Sequence, residues 1–442
     1  KDEKGRQLIF SNTHNDAEIL SRNIKKSSKQ RMKIKVHRGG LSQGKRNDAE
    51  LELKYGDIDA ISCTPTLELG IDIGAIDVAI SAFTSKHDSF IQRSGRAGRN
   101  GKKSYTFCVF DPNDAGCYYY SKNIDDYIKQ EHKIEISTDN PIISSKHREA
   151  KKVEMDCKIG GKDYYNKTKY MTSSYELTLP ETGKMSIRGS TGKILIHYNG
   201  KTIGERGVPV GYYQLHKNAL YPMDPDFYEV DLLKKEAGSV KAYLKKSVEE
   251  NQATKAIVRV ILKEPLTSSN DREYGKISLL RIITGYYKGT AGTNVMEWVR
   301  YDFDEDEDGE NFRWYSDHMA VKIIVPPVEA GGEDPGIHTI IHVFVNAAKI
   351  VTKCEAEEID AIYDGGSIYL YDNTNDGVNG VSQMIYENYE KVLETSRKLL
   401  DDCNCDKRKN PEMGGCPRCT FTTGFCLTNN KELDKKKARE FF

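Results

Sequence analysis

Three arginines separated by small residues form the segment with the clearest chemical capacity. Arg93, Arg96 and Arg99 lie in the stretch QRSGRAGR (Gln92–Arg99), where serine, alanine and glycine occupy the positions between them. An arginine stays protonated and binds phosphate through two parallel N–H groups, so the cluster suits a phosphate chain that gains charge as its terminal bond breaks. An arginine supplied by a neighbouring domain raises phosphoryl-transfer rates by roughly 10³–10⁵. We therefore predict the trans-acting half of a nucleotide site; the alternative is a basic helix start that binds a structural anion.

Short apolar runs alternate with helical segments around these arginines. Strands are predicted at the start of Leu8–Leu20, in Lys33–Leu41, twice within Asp57–Phe83, and in Ser104–Phe110. Strands that alternate with helices indicate a right-handed parallel α/β sheet, with ligand-binding loops at the carboxyl ends of its strands. The arginine cluster is expected at one such loop-to-helix junction, which favours the nucleotide site over the structural anion.

Half of the ten cysteines fall within one short segment near the end of the chain, as C-x-C, ten residues, C-x-x-C, six residues and a last cysteine. Two such pairs can present four thiolates as a tetrahedron, the geometry that structural Zn²⁺ prefers, and Gly414–Gly415 permits a tight turn. A disulfide framework is disfavoured because nothing marks the chain as secreted. A reduced cluster or another soft metal is the alternative to zinc. The predicted ligands are Cys403, Cys405, Cys416 and Cys419, with Cys426 as the substitute for Cys403 or Cys405.

Composition indicates a protein with several domains. Its 442 residues suffice for about two to four domains, and 66 basic residues balance 66 acidic ones. Any nucleic-acid binding must therefore come from local patches of charge. The sequence shows no signal region, and no apolar run reaches the length of about 18 residues that a membrane span needs. We expect a soluble, cytoplasmic protein with no membrane partner.

Four motifs in this order resemble the second RecA-like domain of superfamily 2 helicases: Phe10–Ser11, His37–Leu41, Thr64–Gly74 and Gln92–Arg99. The resemblance covers about the first 115 residues. It implies hydrolysis of ATP with Mg²⁺ in a cleft between two such domains, the first of which binds most of the nucleotide. Carried over by position, it implies arginine fingers at Arg96 and Arg99, a coupling glutamine at Gln92, nucleotide contacts at Asp72, Gly70 and Arg93, and strand contacts at Thr64, Gly40, His37 and Arg38.

The first RecA-like domain of such a motor is missing from the sequence. No GxxxxGK[ST] phosphate loop occurs, and no Asp-Glu pair of the metal-holding type ends a strand before the arginines. The chain begins KDEKGRQ, without methionine and almost directly before a strand. We expect it to be the C-terminal part of a longer protein, with the first RecA-like domain as its partner, and to be inactive as an ATPase by itself.

Segments beyond the arginines resemble helicases of the mitomycin-repair-factor A type. These segments are Ser137–Ala150, Ser186–Ile196, Ile203–Val230, the cysteine-rich stretch and Leu433–Ala438. The resemblance implies a zinc-binding C-terminal domain, movement on single-stranded and branched DNA in the 3′-to-5′ direction, and a role in DNA repair. We expect a monomer. The rival interpretations are a nucleic-acid clamp without turnover, and a motor that remodels RNA or serves a defence system.

The predicted fold class is α/β: a RecA-like parallel sheet with helices on both faces, followed by α+β accessory domains and a C-terminal zinc-binding domain. The divisions are 1–115 for the second RecA-like domain, 116–185 for a small helical or winged-helix-like module, 186–265 for a small β-rich module, and 266–442 for a C-terminal α+β domain with the four-cysteine site. Within that last domain, periodicity predicts a helix over Asp334–Ala348, a strand beginning at Ser367, and one amphipathic helix over Gln383–Asp402.

Several other residues have ordinary structural interpretations. His338 and His342 lie one helical turn apart but lack the glutamate of an H-E-x-x-H motif, which favours packing over metal binding. The Tyr118–Tyr120 triplet has rings that can stack on bases, but packing between domains is the favoured role. Trp298 and Trp314 are expected to be buried.

Overall fold

A computed structural model of the protein contains a parallel sheet, two further large sheets and a layer of C-terminal helices. Within the described residues, no helix is both long and apolar enough to cross a membrane. Those residues are 5–28, 32–39, 41, 43–68, 73–82, 86–101, 103–112, 114–129, 140–156, 158–159, 162–163, 177–178, 192–223, 226–236, 239–249, 252–267, 270–290, 296–301, 313–325, 334–355, 358–374, 378–405, 414–422 and 433–442.

The first domain is built on short apolar strands. Its elements are β1 (Gln7–Phe10), α1 (His14–Ser27), β2 (Ile34–His37), α2 (Gln43–Tyr55), β3 (Ala60–Cys63), β4 (Val78–Ala82), α3 (His87–Ser94) and β5 (Tyr105–Val109). The strands form a parallel sheet in the order β2-β3-β1-β4-β5. Side chains alternate between its faces, so Leu8 shares a core with Leu53 of α2 whereas Ile9 packs with Ile24 of α1. Helices on both faces confirm the predicted RecA-like α/β class.

A helical segment follows the parallel sheet. It contains α4 (Ala115–Lys122), α5 (Ile124–Ile128) and α6 (Pro141–Asp156), followed by the two-residue strands β6 (Lys158–Ile159), β7 (Lys162–Asp163) and β8 (Leu177–Thr178). Asp114 caps α4 by accepting a hydrogen bond from the backbone N–H of Cys117 at 2.8 Å. The described part of 116–185 is therefore mainly helical, and the winged-helix interpretation stays a prediction.

The second sheet packs directly on the first domain. Its elements are β9 (Lys193–Tyr198), β10 (Lys201–Gly207), α7 (Val210–Gln214), β11 (Leu220–Met223), β12 (Asp226–Glu236) and β13 (Ser239–Lys246), in the strand order β10-β9-β13-β12-β11. All neighbours are antiparallel except β9 and β13. Ile194 and Tyr221 share one apolar cluster with Ala17 and Val36 of the first domain. The β-rich module is thus an extension of the first domain's core.

The third sheet has six strands and crosses a predicted boundary. Its strands are β14 (Gln252–Glu264), β15 (Arg272–Thr290), β16 (Met296–Arg300), β17 (Arg313–Ile324), β18 (Ile359–Asp364) and β19 (Ser367–Asp372), in the order β14-β15-β17-β19-β18 with β16 beside β15. β14 and β15 are paired from Gln252↔Thr290 to Glu264↔Ser278. The division predicted between 265 and 266 therefore falls inside one sheet, because it separates two hydrogen-bonded neighbours.

Four helices form the C-terminal core beside the third sheet. They are α8 (Pro335–Thr352), α9 (Val381–Glu387), α10 (Tyr389–Asp401) and α11 (Lys435–Phe441). The helix predicted over Asp334–Ala348 and the strand from Ser367 are confirmed as α8 and β19. The single helix predicted over Gln383–Asp402 is instead two helices. The chain leaves helical geometry at Asn388, whose ψ is +28° and whose side-chain amide donates to the carbonyl of Met384.

The aromatic residues have three different environments. Tyr120 is buried and donates its hydroxyl hydrogen to the carbonyl of Ile350 in α8 at 3.3 Å, which confirms the packing role. The ring of Trp314 stacks on Tyr212 at 5.1 Å, between the second and third sheets. Trp298 is 60% exposed, so its expected burial is wrong, because it lies on β16 at a sheet edge.

Two buried histidines make stability depend on pH. Burial lowers the pKa of His216 to about 4, and burial together with the charge of Arg281 lowers the pKa of His318 to about 3. Both imidazoles therefore stay neutral in the folded protein while an unfolded chain takes up protons near pH 6.5. Below that pH the unfolded state binds more protons than the folded state. As the pH falls from 6.5 to 4, each histidine should therefore lower the free energy of unfolding by about 1 kcal/mol per pH unit.

His216→Gln and His318→Gln should each flatten the pH dependence of urea unfolding in this range, which denaturation curves at pH 7, 6 and 5 would measure. A glutamine can keep one hydrogen bond of each site, such as the one that joins His318 Nδ1 to the carbonyl of Asp372 at 2.7 Å. If the free energy of unfolding changed with pH equally in both variants and in the natural protein, these two histidines would not be the source of the pH dependence.

Candidate nucleotide, nucleic-acid and metal sites

The arginine segment runs from the end of a helix into a turn. Gln92 and Arg93 belong to the last turn of α3, which Gly95 ends. Gly98 has a φ of +72°, a conformation that residues with a β-carbon rarely adopt. The expected loop-to-helix junction is therefore a helix-to-loop junction. Its arginines project from the C-terminal end of α3 and from the turn that follows.

Arg93 joins three strand ends at the carboxyl edge of the parallel sheet. It is 1% exposed and donates to Glu68 Oε1 at 2.6 Å, to Ser81 Oγ at 2.9 Å and to Asn12 Oδ1 at 3.0 Å. Ser81 lies in β4, whereas Glu68 and Asn12 follow β3 and β1. All three guanidinium nitrogens are thus used to position loops. Direct contact between Arg93 and a nucleotide stays a prediction.

Arg96 and Arg99 are two further cations that follow Arg93 in the same segment. Arg96 Nε is buried and has no hydrogen-bond partner within the described part of the chain. Burial and the charge of Arg99 lower the pKa of Arg96, although the charge of Glu68 acts in the opposite direction. Two like charges that lie close together repel, so an anion that enters between them is favoured. The pair is therefore arranged to receive a negatively charged ligand.

The remaining nucleotide contacts are resolved only in part. Gln92 is exposed at the end of α3, on the same segment as Arg96 and Arg99. Gly70 and Asp72, predicted to contact the nucleotide, and Gly40, predicted to contact the strand, lie outside the described residues. Their roles stay predictions.

His37 and Thr64 lie side by side at the carboxyl ends of β2 and β3. The backbone N–H of Thr64 donates to the carbonyl of His37 at 3.2 Å, and the His37 ring lies 2.8 Å from both Thr66 Oγ1 and Glu50 Oε1. Burial lowers the pKa of His37, although the hydrogen bond and the charge of Glu50 act in the opposite direction. His37 thus holds the loop that carries Thr64, and contact of either residue with a nucleic acid stays a prediction.

Arg38 connects the first domain to the second sheet. It is 1% exposed, and its guanidinium donates to Glu18 Oε1 at 2.7 Å, to the Tyr221 hydroxyl at 3.2 Å and to the carbonyl of Pro222 at 3.4 Å. Removal of one partner from a buried ion pair is strongly destabilising, because the other charge is left uncompensated. In this structure Arg38 fixes the two units together, and its predicted contact with a phosphate stays untested.

Four cysteines converge after α10. Cys403 Sγ lies 3.4 Å from Cys416 Sγ, and Cys419 Sγ lies 3.7 Å from Cys405 Sγ and 3.8 Å from Cys416 Sγ. All four sulfurs lie within 4.8 Å of one another. Four sulfurs bound to a central zinc at about 2.3 Å would have edges of about 3.8 Å. The cluster therefore matches a closed tetrahedral zinc site.

The chemistry of these thiols also favours a cation. Hydrogen bonds from Cys416 and Cys419 lower the pKa of Cys403, whereas the hydrogen bond to Cys403 raises the pKa of Cys416 to about 11. Neighbouring thiols thus share protons, since several thiolates at this distance repel one another. A bound Zn²⁺ allows all four to ionise and leaves no open coordination position, so its role would be structural. Cys426 lies outside the described residues.

The second cysteine pair, Cys416 and Cys419, lies in a turn whose backbone is hydrogen-bonded to side chains of α8. The side-chain amide of Asn346 donates to the carbonyls of Cys419 at 3.0 Å and Phe421 at 2.9 Å, and His342 Nδ1 lies 2.8 Å from the carbonyl of Thr420. Both side chains are buried. The histidine thus contacts the backbone of the metal turn, which supports the packing interpretation of its helix face.

Sequence reasoning missed the residues that support these sites. Lys435 of α11 is 5% exposed, donates to the carbonyl of Cys403, and places its Nζ 3.6 Å from Cys405 Sγ. A four-thiolate zinc site carries a net negative charge, which this ammonium offsets. Glu68, the partner of Arg93, was also missed. Its signal in the sequence is an acidic residue inside the loop that follows a buried strand.

Two family models match separate parts of the chain. The helicase conserved C-terminal domain matches residues 1–101, which include the parallel sheet strands β1–β4 and the arginine segment. The MrfA Zn-binding domain matches residues 340–420, which include most of α8 and the four clustered cysteines. The two matches thus coincide with the two candidate sites.

Curated relatives extend the likeness to nearly the whole chain. The uncharacterized ATP-dependent helicase YprA of Bacillus subtilis is 22% identical over 99% of this chain and 60% of its own length. The ATP-dependent helicase hrq1 of Schizosaccharomyces pombe is 20% identical over 97% of this chain and 44% of its own length. The chain therefore spans about half of the length of these relatives.

A solved structure shares the arrangement of domains. The DUF1998 helicase MrfA bound to DNA matches 99% of this chain and 61% of its own, with a TM-score of 0.62 at 19% identity. The fold, with its parallel sheet, further sheets and C-terminal cysteine cluster, is thus that of MrfA. Residues 1–101 thus match the helicase conserved C-terminal domain and residues 340–420 the MrfA Zn-binding domain, on a fold that the whole chain shares with MrfA.

Proposed function

We propose that this chain supplies the second motor domain and the accessory domains of an ATP-dependent helicase that moves along single-stranded DNA and unwinds branched DNA. The observation that carries the proposal is the pair Arg96 and Arg99. Both arginines follow the end of α3, where the backbone N–H of Gly98 donates to the carbonyl of Ile76 just ahead of β4, and Arg96 Nε is buried without a partner among the described residues. Such a pair is suited to a triphosphate bound mainly by another domain.

ATP with Mg²⁺ would supply the hydrolysable phosphate chain next to Arg96 and Arg99. Arg96 and Arg99 stabilise the charge that develops on its terminal phosphate, with Gln92 beside them on α3. Gly70 and Asp72 contact the nucleotide from the loop after Glu68. Arg93 does not need to touch the nucleotide, since its contacts with Glu68, Ser81 and Asn12 keep the loop and the sheet edge in register.

The DNA strand lies on the neighbouring loops. Thr64 follows β3 and His37 ends β2, so a movement of the sheet edge moves both of them together. Hydroxyl and backbone N–H groups hold phosphates without reading sequence, which suits a motor that translocates. Repeated opening and closing of the nucleotide cleft shifts the strand, in the 3′-to-5′ direction by family resemblance, and the zinc domain keeps the accessory domains rigid. The proposed process is DNA repair, carried out by a cytoplasmic monomer.

Three similar proteins support the use of DNA and of ATP. MrfA shares this fold and has been solved bound to DNA, and also bound to DNA and AMPPNP. YprA and hrq1 carry the description ATP-dependent helicase. These observations favour a DNA motor over the clamp and over a motor that remodels RNA.

ATP hydrolysis by the natural full-length protein should be stimulated by an oligothymidylate, whereas this 442-residue chain should show no hydrolysis. The measurement is steady-state release of phosphate, with and without the oligonucleotide, and with an oligouridylate of equal length as the comparison. Tight DNA binding without turnover in the full-length protein would replace the motor by a clamp. Stronger stimulation by the oligouridylate would replace DNA by RNA.

A further inference from the structure

A wide groove lies between the helical segment and the C-terminal core. Its volume is about 890 Å³, and its walls come from α4, α5, α8 and α10, with Arg418 of the metal turn at one end. That volume is within the range of about 300–1,000 Å³ typical of ligand sites. The function proposed above makes no use of this groove.

The lining of the groove is positively charged. Five exposed cations face it, and only three acidic residues oppose them, namely Asp126, Glu394 and Asp402. One of the cations, Lys398, is paired with Glu394 at 2.7 Å. The whole chain has 66 basic and 66 acidic residues, so this excess is local. The five cations are Lys122, Lys129, Lys391, Lys398 and Arg418.

Aromatic rings are fixed among these cations. The guanidinium carbon of Arg418 lies 4.4 Å from the ring centre of Tyr118, and Lys122 Nζ lies 5.9 Å from the same ring. Tyr119 meets Tyr120 edge to face at 5.3 Å and donates its hydroxyl hydrogen to Asp126 at 3.1 Å. Both Tyr118 and Tyr119 stay partly exposed while Tyr120 is buried. Tyr118 and Tyr119 are thus held in place by these contacts and line the groove among the cations.

We propose that this groove binds single-stranded DNA, with Tyr118 and Arg418 as a stacking platform for a base and the lysines on the backbone. Nonspecific single-strand sites combine a basic groove with aromatic side chains, because every base has a π face. An acidic peptide would use the cations but not the rings, so the pairing of Arg418 with Tyr118 favours the nucleic acid. α4 follows the last strand of the parallel sheet and Arg418 lies between two zinc ligands, so a strand in the groove would run from the motor to the metal turn. The inference rests on the proposed function only for the choice of DNA as the polymer.

The test compares paired substitutions in the natural full-length protein. Tyr118→Ala with Arg418→Ala should weaken binding of a fluorescent oligothymidylate by about tenfold, since stacking contributes about 1–3 kcal/mol per base. Lys122→Gln with Lys391→Gln should lower the slope of log affinity against log salt by about one to two. The matched control is Tyr315→Ala with Arg259→Ala, an exposed tyrosine and arginine on the third sheet, which should bind as the natural protein does. Zinc content and thermal melting of each variant show that it is folded.

Unchanged affinity in both groove variants would overturn the proposal. So would equal displacement of the oligothymidylate by polyglutamate at the same charge concentration, which would indicate a site for acidic peptides. Loss of binding in the groove variants supports it whether or not the natural protein hydrolyses ATP. The groove proposal and the motor proposal can therefore be rejected separately. ATP turnover depends on Arg96 and Arg99, whereas DNA binding in the groove does not require turnover.

Discussion

Replacing Arg99 with alanine is expected to lower DNA-stimulated ATP hydrolysis by the natural full-length protein by about 10³-fold or more. Arg99 is exposed, directly after the left-handed turn at Gly98, where its side chain can reach across a cleft. An arginine finger acts on charge that develops only in the transition state, so its loss lowers kcat with little effect on nucleotide affinity. The measurement is phosphate release at saturating oligothymidylate, together with the Kd of a fluorescent ATP analogue.

Two further variants separate this role from a structural one. Arg99→Lys keeps a positive charge but lacks the planar fork that binds phosphate bidentately, so most of the loss should remain. Arg259→Ala removes an exposed arginine from β14, far from the arginine segment, and should leave turnover unchanged. Natural turnover in a correctly folded Arg99→Ala protein would show that Arg99 is not a finger and would remove the main support for the proposed motor.

The parallel sheet could be predicted because its determinants are local. Each strand of the first domain is four or five residues of mostly apolar sequence, and the helices between them follow from their periodicity. The end of α3 could not be placed in the same way. QRSGRAGR contains two glycines that suit either a helix start or a helix end, and only the structure shows that α3 ends at Gly95 and that Gly98 then takes a positive φ.

The environment of the buried arginines depends on contacts that are distant in the chain. Arg38 pairs with Glu18 nearby but also with Tyr221, which is 183 residues away, so its buried position between two units has no local signal. Arg93 is buried for a similar reason, since its partners follow three different strands. A motif predicts which residue types are present at a site, whereas tertiary packing decides which of them remain exposed to a ligand.

Removal of zinc is expected to unfold the metal turn while the parallel sheet stays folded. Residues 414–422 contain no helix or strand, and Gly414 and Gly415 adopt positive φ values of 56° and 154° there. The turn is held by the four sulfurs and by the contacts of His342 and Asn346 from α8. Zinc-binding free energy in small domains is about 10–16 kcal/mol and is coupled to folding, so Cys416→Ser should lose the metal and the protection of the backbone amides at 419–421.

Hydrogen exchange and elemental analysis of the same samples would measure both effects. Cys354→Ala is the control, because Cys354 is a buried cysteine that lies just after α8 and outside the cluster. It should keep stoichiometric zinc. Protection at 419–421 that survives in Cys416→Ser without bound zinc would show that α8 alone holds the turn.

Lys435→Met distinguishes the charge around the metal from the ligands themselves. The substitution keeps the apolar stem but removes the ammonium group 3.6 Å from Cys405 Sγ, so the four thiolates lose their nearest compensating charge. Zinc should remain bound but should transfer faster to a competing chelator, whereas Cys416→Ser should lose it outright. Lys435 and Cys416 belong to the same cluster. Equal zinc loss in Lys435→Met and Cys416→Ser would therefore mean that packing of α11, rather than thiolate coordination, limits the stability of the site.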